Sequence, residues 1–151
     1  MNSNKKLNRY KRIYGQFENL LTKSDDFEAH MATLLAILHH KIDYFFWTGF
    51  YFLKDGKLIV KMYQGPVACM ELKKDVGVCW KSINNNETII ISDVGNLEGH
   101  IACDSRSKSE IAIPFKNIKG DIIGVLDVDS KTINSFDEID AIELKKILKL
   151  I

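Results

Sequence analysis

Three cysteines and a few carboxylates are the residues of this chain whose types and spacing could do chemistry. Cys103 lies in GHIACDSRSKSE at 99–110, a polar, glycine-opened stretch with neither strand alternation nor helical apolar spacing. Free cysteine is normally a buried residue. A thiol in so hydrophilic a loop, with His100 before it and Asp104 after it, therefore points to reactivity rather than packing. Arg106, Lys108 and the backbone donors of such a loop would favour the thiolate, which is the nucleophilic form. Cys69 stands on a separate loop, QGPVACMELKKDVGV, from which it could convert a sulfenic acid on Cys103 into a disulfide. Cys79, within the apolar VGVCW, suits an inert core position. A zinc site of Cys69, Cys79, His100 and Cys103 has one near pair, in HIAC, whereas structural zinc sites draw ligands from close pairs such as C-x2-C. The expectation is that no metal is bound.

Asp127 and Asp129 in DIIGVLDVDS are two residues apart on a strand and so share a face. Two carboxylates side by side in so apolar a strand either end it in solvent or face a pocket. In a pocket they would bind a cationic group, or one would keep a proton and act as an acid. Trp47 and Tyr51, four apart in FFWTGFYFL, also share a face, either as core packing or as the wall of that pocket.

The elements that must position these groups follow from periodicity. Leu7, Tyr10, Ile13, Tyr14, Phe17, Leu20 and Leu21 mark an amphipathic helix over 5–22. Ser24, Asp25 and Asp26 offer caps for a second helix to about His40, with Met31, Leu34, Leu35 and Leu38 on one stripe. Strand 45–53, the Asp55-Gly56 turn and strand 57–64 read as a hairpin. A short helix over about 78–84 and a strand over 88–92 follow, then strands 109–116 and 121–130 around Lys119-Gly120. Ser135 with Glu138 three residues on reads as the cap of a C-terminal amphipathic helix. Helices at both ends with hairpins between them predict an α+β fold with a central, mostly antiparallel sheet.

At 151 residues the chain fits one domain over 1–151 with room for a real core. Lys and Arg total 21 against 20 Asp and Glu, a net charge of +1, which argues against a nucleic-acid partner. The lysines of KKLNRYKR are expected to coat a solvated helix face. MNSNKKLNRYKR lacks the apolar stretch of a secretion signal, and no apolar run approaches the ~18 residues of a membrane span, so the expected location is the cytoplasm, with no membrane partner. A structural disulfide framework is not expected there.

QGPVAC at 64–69, GVC at 77–79, SDV at 92–94, GHIACDS at 99–105, SEIAIP at 109–114 and GVLDVDS at 124–130 together resemble the free methionine-(R)-sulfoxide reductases, single-domain enzymes with the GAF fold. The resemblance spans about residues 45–140, and GHIACD beside SEI is specific to these enzymes within the GAF superfamily. It implies a cytoplasmic enzyme that reduces the R-epimer of free methionine sulfoxide. It further implies no bound cofactor, an external dithiol reductant (thioredoxin, fed by NADPH) and a homodimer. By the same resemblance Cys103 is the nucleophile, Cys69 its resolving partner and Cys79 an alternative partner at the site. Glu110, Asp127 and Asp129 surround the substrate, one of them (with Asp129 a candidate) giving the proton, and Trp47 and Tyr51 wall the sulfoxide end. Two residues depart from the family pattern: Trp80 stands where a small residue usually follows GVC, and Glu98 where proline commonly precedes GHIACD. A non-enzymatic GAF sensor domain would share the pocket but would not need Cys103 and Cys69.

Overall fold

A computed structural model describes residues 2–100 and 103–151; Ile101 and Ala102 of the GHIACD motif lie outside the described residues. Helices α1 (Ser3–Leu21) and α2 (Phe27–Lys41) precede strands β1 (Trp47–Lys54), β2 (Lys57–Gln64) and the two-residue β3 (Glu71–Leu72). Helix α3 (Val78–Asn85) leads to β4 (Ile89–Ile91), a short 3-10 turn at Val94–Asn96, the long strands β5 (Ser109–Lys116) and β6 (Ile122–Ser130), and finally α4 (Glu138–Leu148). The strands form one sheet in the order β3-β2-β1-β6-β5-β4, each described pair antiparallel. Asp55 and Gly56 both have positive φ, 51° and 74°, as a two-residue hairpin turn with the twist of its strands requires.

Alternation along the long strands divides the sheet into two faces. Phe50, Ile111, Ile113, Phe115, Leu126 and Val128 point to the back, where Tyr10, Ile13 and Phe17 of α1, the Met31–Leu38 stripe of α2, and Leu144 and Ile147 of α4 bury them. Trp47, Tyr51, Ala112 and Val125 point to the front, where α3 lays Val78, Cys79 and Trp80 on them. The back face is a conventional apolar core. The front face carries the polar groups.

The structure differs from the sequence reading at several ends. β1 begins at Trp47 rather than 45, and the loop after β2 contains β3. The cap of α4 is Asp137, not Ser135. The Asp137 carboxylate accepts from the backbone N–H of Ile139 and Asp140 at 2.9 and 3.3 Å, and the Asp140 carboxylate accepts from the Asp137 N–H at 2.8 Å. An aspartate pair therefore makes the reciprocal cap. Ser135 instead donates to Ser130 Oγ at 2.8 Å in the turn before it.

Lys6 is not on a solvated face. It is 5% exposed and meets Asp140 and Asp137 of α4. Asp140 is wholly buried and also accepts from Tyr10 and Tyr44, at 2.7 and 2.5 Å. This knot ties the two terminal helices together behind the sheet. Asp140→Ala would leave a buried ammonium with only Asp137 as its carboxylate partner and deprive two phenols of theirs, so a loss of about 3–5 kcal/mol is expected, read as a drop in the urea midpoint. Lys6→Met paired with Asp140→Leu should recover the part of the loss that comes from the unpaired ammonium.

Candidate active site

The front face is built by register. Trp47 of β1 stands opposite Asp129 of β6, which stands opposite Glu110 of β5. One step along, Gly49, Asp127 and Ala112 form the next row, and Tyr51 with Val125 the one after. Three carboxyls from two strands thus meet two aromatic rings from a third, a juxtaposition that spacing within single strands did not reveal. Gly49 makes room for it: a Cβ there would lie 2.4 Å from the Trp47 ring and 2.6 Å from Tyr63 Cβ. The Trp47 indole lies flat between Tyr51 and Tyr63, with centroids 5.8 and 5.3 Å away. These groups line a cavity of about 260 Å³, together with Cys69, Cys79, His100, Cys103 and Ser107.

Aromatic donors hold the loop over this cavity. Trp47 Nε1 donates to the Pro66 carbonyl at 3.1 Å, Tyr51 Oη to the Cys69 carbonyl at 2.9 Å, and Trp80 Nε1 to the Leu72 carbonyl at 3.3 Å. Three loop carbonyls, each three residues after the last, are thereby satisfied by side chains of β1 and α3. Trp80, the departure noted in GVCW, thus has a definite place: it is 4% exposed and fastens the far end of the Cys69 loop. Gly65, at φ +119°, lets that loop leave β2 against the Phe46 carbonyl, where a Cβ would sit 2.8 Å away.

Cys69 is disulfide-bonded to Cys103, with the two Cα atoms 5.6 Å apart. Cys103 is exposed and Cys69 half-buried, so the bond lies at the mouth of the cavity. Cys79 is a free thiol at the floor, 4% exposed, and burial pushes its pKa up. The four-ligand zinc reading is not met, because the disulfide engages two of its four members. Nor is Arg106 directed at the thiol. It forms a two-bond pair with Asp104, at 2.9 and 2.7 Å, holds that carboxyl down to about 2, and stacks on Phe46 at 5.0 Å. Its role is to shape the Cys103 loop. His100 faces the cavity with Nε2 3.9 Å from Glu110 Oε2, and burial lowers its pKa.

The carboxyls behave as a set. Glu110 is 5% exposed and Asp127 6%, while Asp129 is half-buried. Burial raises all three pKa values, and for Glu110 and Asp129 the charge of Asp127 adds to the effect. Asp127 is raised to about 6, and the other two are raised well above their ordinary values. Asp127, whose charge raises the other two, is therefore the first of the set to ionise. Burial and the same carboxylates also push up the pKa of the Tyr51 phenol, which stays a donor.

The front face, the fastened Cys69 loop and the helices behind the sheet define a GAF-fold domain with a cysteine pair at its pocket. GAF domain-containing protein A of Dictyostelium discoideum is 45% identical over 143 residues, 94% of this chain and 89% of its own length. The free methionine-R-sulfoxide reductase of Escherichia coli (strain K12) is 35% identical over 139 residues, 92% of this chain and 84% of that protein. The structure of free methionine-R-sulfoxide reductase from Neisseria meningitidis in complex with its substrate matches with a TM-score of 0.87 at 35% identity, over 93% of this chain and 84% of that one. No family model matches the chain. The chain belongs to the free methionine-R-sulfoxide reductase family.

The raised pKa of Asp127 has a consequence for stability. Because the folded value of about 6 exceeds the unfolded one, its contribution is full below about pH 4 and is lost as pH rises through 6. Two units correspond to about 3 kcal/mol. Asp127→Asn is therefore expected to raise the urea midpoint of the ligand-free protein at pH 7.5 and to leave it almost unchanged at pH 4. A variant that gained nothing at pH 7.5 would contradict the assigned charge state.

Proposed function

We propose that the protein reduces free methionine-(R)-sulfoxide, with Cys103 as nucleophile. The observation that carries this reading is the Cys69–Cys103 disulfide at the mouth of a cavity lined by Glu110, Asp127 and Asp129. A passive ligand-binding domain has no use for that arrangement, whereas a thiol-dependent oxygen transfer ends in it.

In this reading the Cys103 thiolate attacks the sulfoxide sulfur while Asp129 gives its proton to the oxygen. The hydroxyl then passes to the Cys103 sulfur as the sulfoxide sulfur–oxygen bond and the transient sulfur–sulfur bond break, so methionine departs reduced and Cys103 is left as a sulfenic acid. The Cys69 thiol then attacks that sulfur; water leaves and the disulfide forms. An external dithiol, of the thioredoxin kind, reopens it. Asp129 is the reasonable donor because burial and the charge of Asp127 raise its pKa and it is the least enclosed of the three carboxyls. Asp127, the ionised member, and Glu110 receive the substrate's α-ammonium, while Trp47 and Tyr51 flank the sulfoxide end. Peptide-bound methionine sulfoxide has no ammonium, and a buried site built for that charge rejects the analogue lacking it.

The test is turnover of the separate R and S epimers, free and N-acetylated, with a dithiol reductant. Consumption of the free R epimer alone is expected. Cys103→Ser should abolish it, and Asp129→Asn should lower kcat by about 10²-fold or more with a smaller change in KM. A Cys103→Ser protein that still consumed the sulfoxide would overturn the mechanism.

A further inference from the structure

We propose that Cys79, Glu110 and Asp127 form a binding site for a thiophilic divalent cation, zinc(II) being the representative ion. One ligand atom from each, the Cys79 sulfur and a carboxylate oxygen from Glu110 and Asp127, lies within 4.8 Å of the other two. All three side chains are nine-tenths buried or more. The backbone fixes them from three directions: Cys79 is the second residue of α3, pressed onto the sheet, and Glu110 and Asp127 project from neighbouring strands.

A second observation points to a ligand. Asp127 Oδ1 is buried and has no hydrogen-bond partner among the described residues, although buried carboxylate oxygens are nearly always satisfied. His100 lines the same cavity, and its Nδ1 is likewise buried and unpartnered among them. A lone carboxylate oxygen within reach of a thiol and a second carboxyl makes a donor set rather than a packing arrangement.

The chemistry of that set selects the ion. Zinc–sulfur and zinc–oxygen bonds of about 2.3 and 2.0–2.2 Å place tetrahedral ligands roughly 3.3–3.7 Å apart, so the three atoms need close in by only about 1 Å. The thiolate favours zinc, cadmium or cobalt over magnesium and calcium, which prefer all-oxygen cages. On binding, the Cys79 thiol proton and the Glu110 carboxyl proton leave to solvent, and the cation takes their place. The fourth position opens to the cavity, where water can fill it. Cys79 lies outside the disulfide, so the site exists while Cys69 and Cys103 are bonded.

Occupancy would remove the carboxylates from the substrate's ammonium, making the ion a competitive inhibitor. That consequence rests on the function proposed above; the binding does not. The experiment therefore uses the whole protein with its disulfide intact and no substrate, titrated with cobalt(II) and then zinc(II). One equivalent of cobalt should produce a near-ultraviolet thiolate-to-metal charge-transfer band, and zinc should displace it. Cys79→Ser should abolish the band. Glu110→Gln should keep it but weaken zinc affinity by more than about tenfold, since even groups supporting a ligand cost that much. His39→Ala with His40→Ala, a pair on the opposite side of β1, should change nothing. Absence of the band in the folded wild-type protein, or its survival in Cys79→Ser, would overturn the site. Stoichiometric binding without inhibition of sulfoxide turnover would instead count against the functional reading.

Discussion

Three carboxyl groups held out of water on one face of an apolar sheet are the constraint on which the rest of this molecule depends. Their placement is a matter of antiparallel register alone: Glu110, Asp129 and Trp47 fall in one row, and Ala112, Asp127 and Gly49 in the next. A slip of one residue in β6 would send both aspartates into the back-face core against α1, α2 and α4. The back face therefore does more than stabilise. Phe50, Leu126, Val128 and Ile111, buried there, lock the register that brings the carboxyls together in front. Burying such groups costs stability, which this fold recovers through the apolar core and the Lys6–Asp140 knot behind it.

The cysteines depend on the same rows through the aromatic side chains. Trp47 and Tyr51 stand in line with the carboxyls, yet their polar atoms point past them to loop carbonyls at Pro66 and Cys69. The rings that wall the cavity are thus also the supports of the loop that carries one sulfur. Trp80 completes the support from α3. On the other side, Arg106 grips Asp104 and lies on Phe46, and Lys131 lies on the same ring at 4.8 Å. The two cysteine-bearing loops are thus brought to a common point by contacts with Phe46, Trp47 and Tyr51. An aromatic-rich strand start is therefore a positioning device as much as a source of buried area.

Much of this could be read from the sequence, and the limits have physical reasons. The helices, hairpins and antiparallel sheet followed from periodicity, because each long element presents one face to the core. Asp127 and Asp129 could be placed on one face from their spacing alone, but their meeting with Glu110 and Trp47 depends on pairings between distant segments. The motif resemblance supplied that company. Lys6 was misread because a burial that depends on one partner, Asp140, 134 residues away, leaves no trace in local pattern. The cap of α4 was misplaced because Ser-x-x-Glu and Asp-x-x-Asp overlap at 135–140, and only packing decides between them. Arg106 looked like a cation for the thiol, whereas the nearer Asp104 takes it with two hydrogen bonds.

Electrostatics links the proposed reaction to the proposed metal site. A pocket whose three carboxyls are raised by burial, two of them also by the charge of Asp127, is short of positive charge, and two kinds of visitor can supply it. An α-ammonium brings one charge and three donors to the carboxylates and leaves Cys79 protonated. A thiophilic divalent ion brings two charges, displaces the proton from Cys79 as well, and so draws on a group the ammonium cannot use. Discrimination between them then rests on the thiol at the floor. Burial pushes the pKa of Cys79 up, so a thiophilic metal takes the place of its proton more readily than bulk water removes it. The same burial that preserves an acid for the reaction would thus also make the floor of the pocket selective for soft cations.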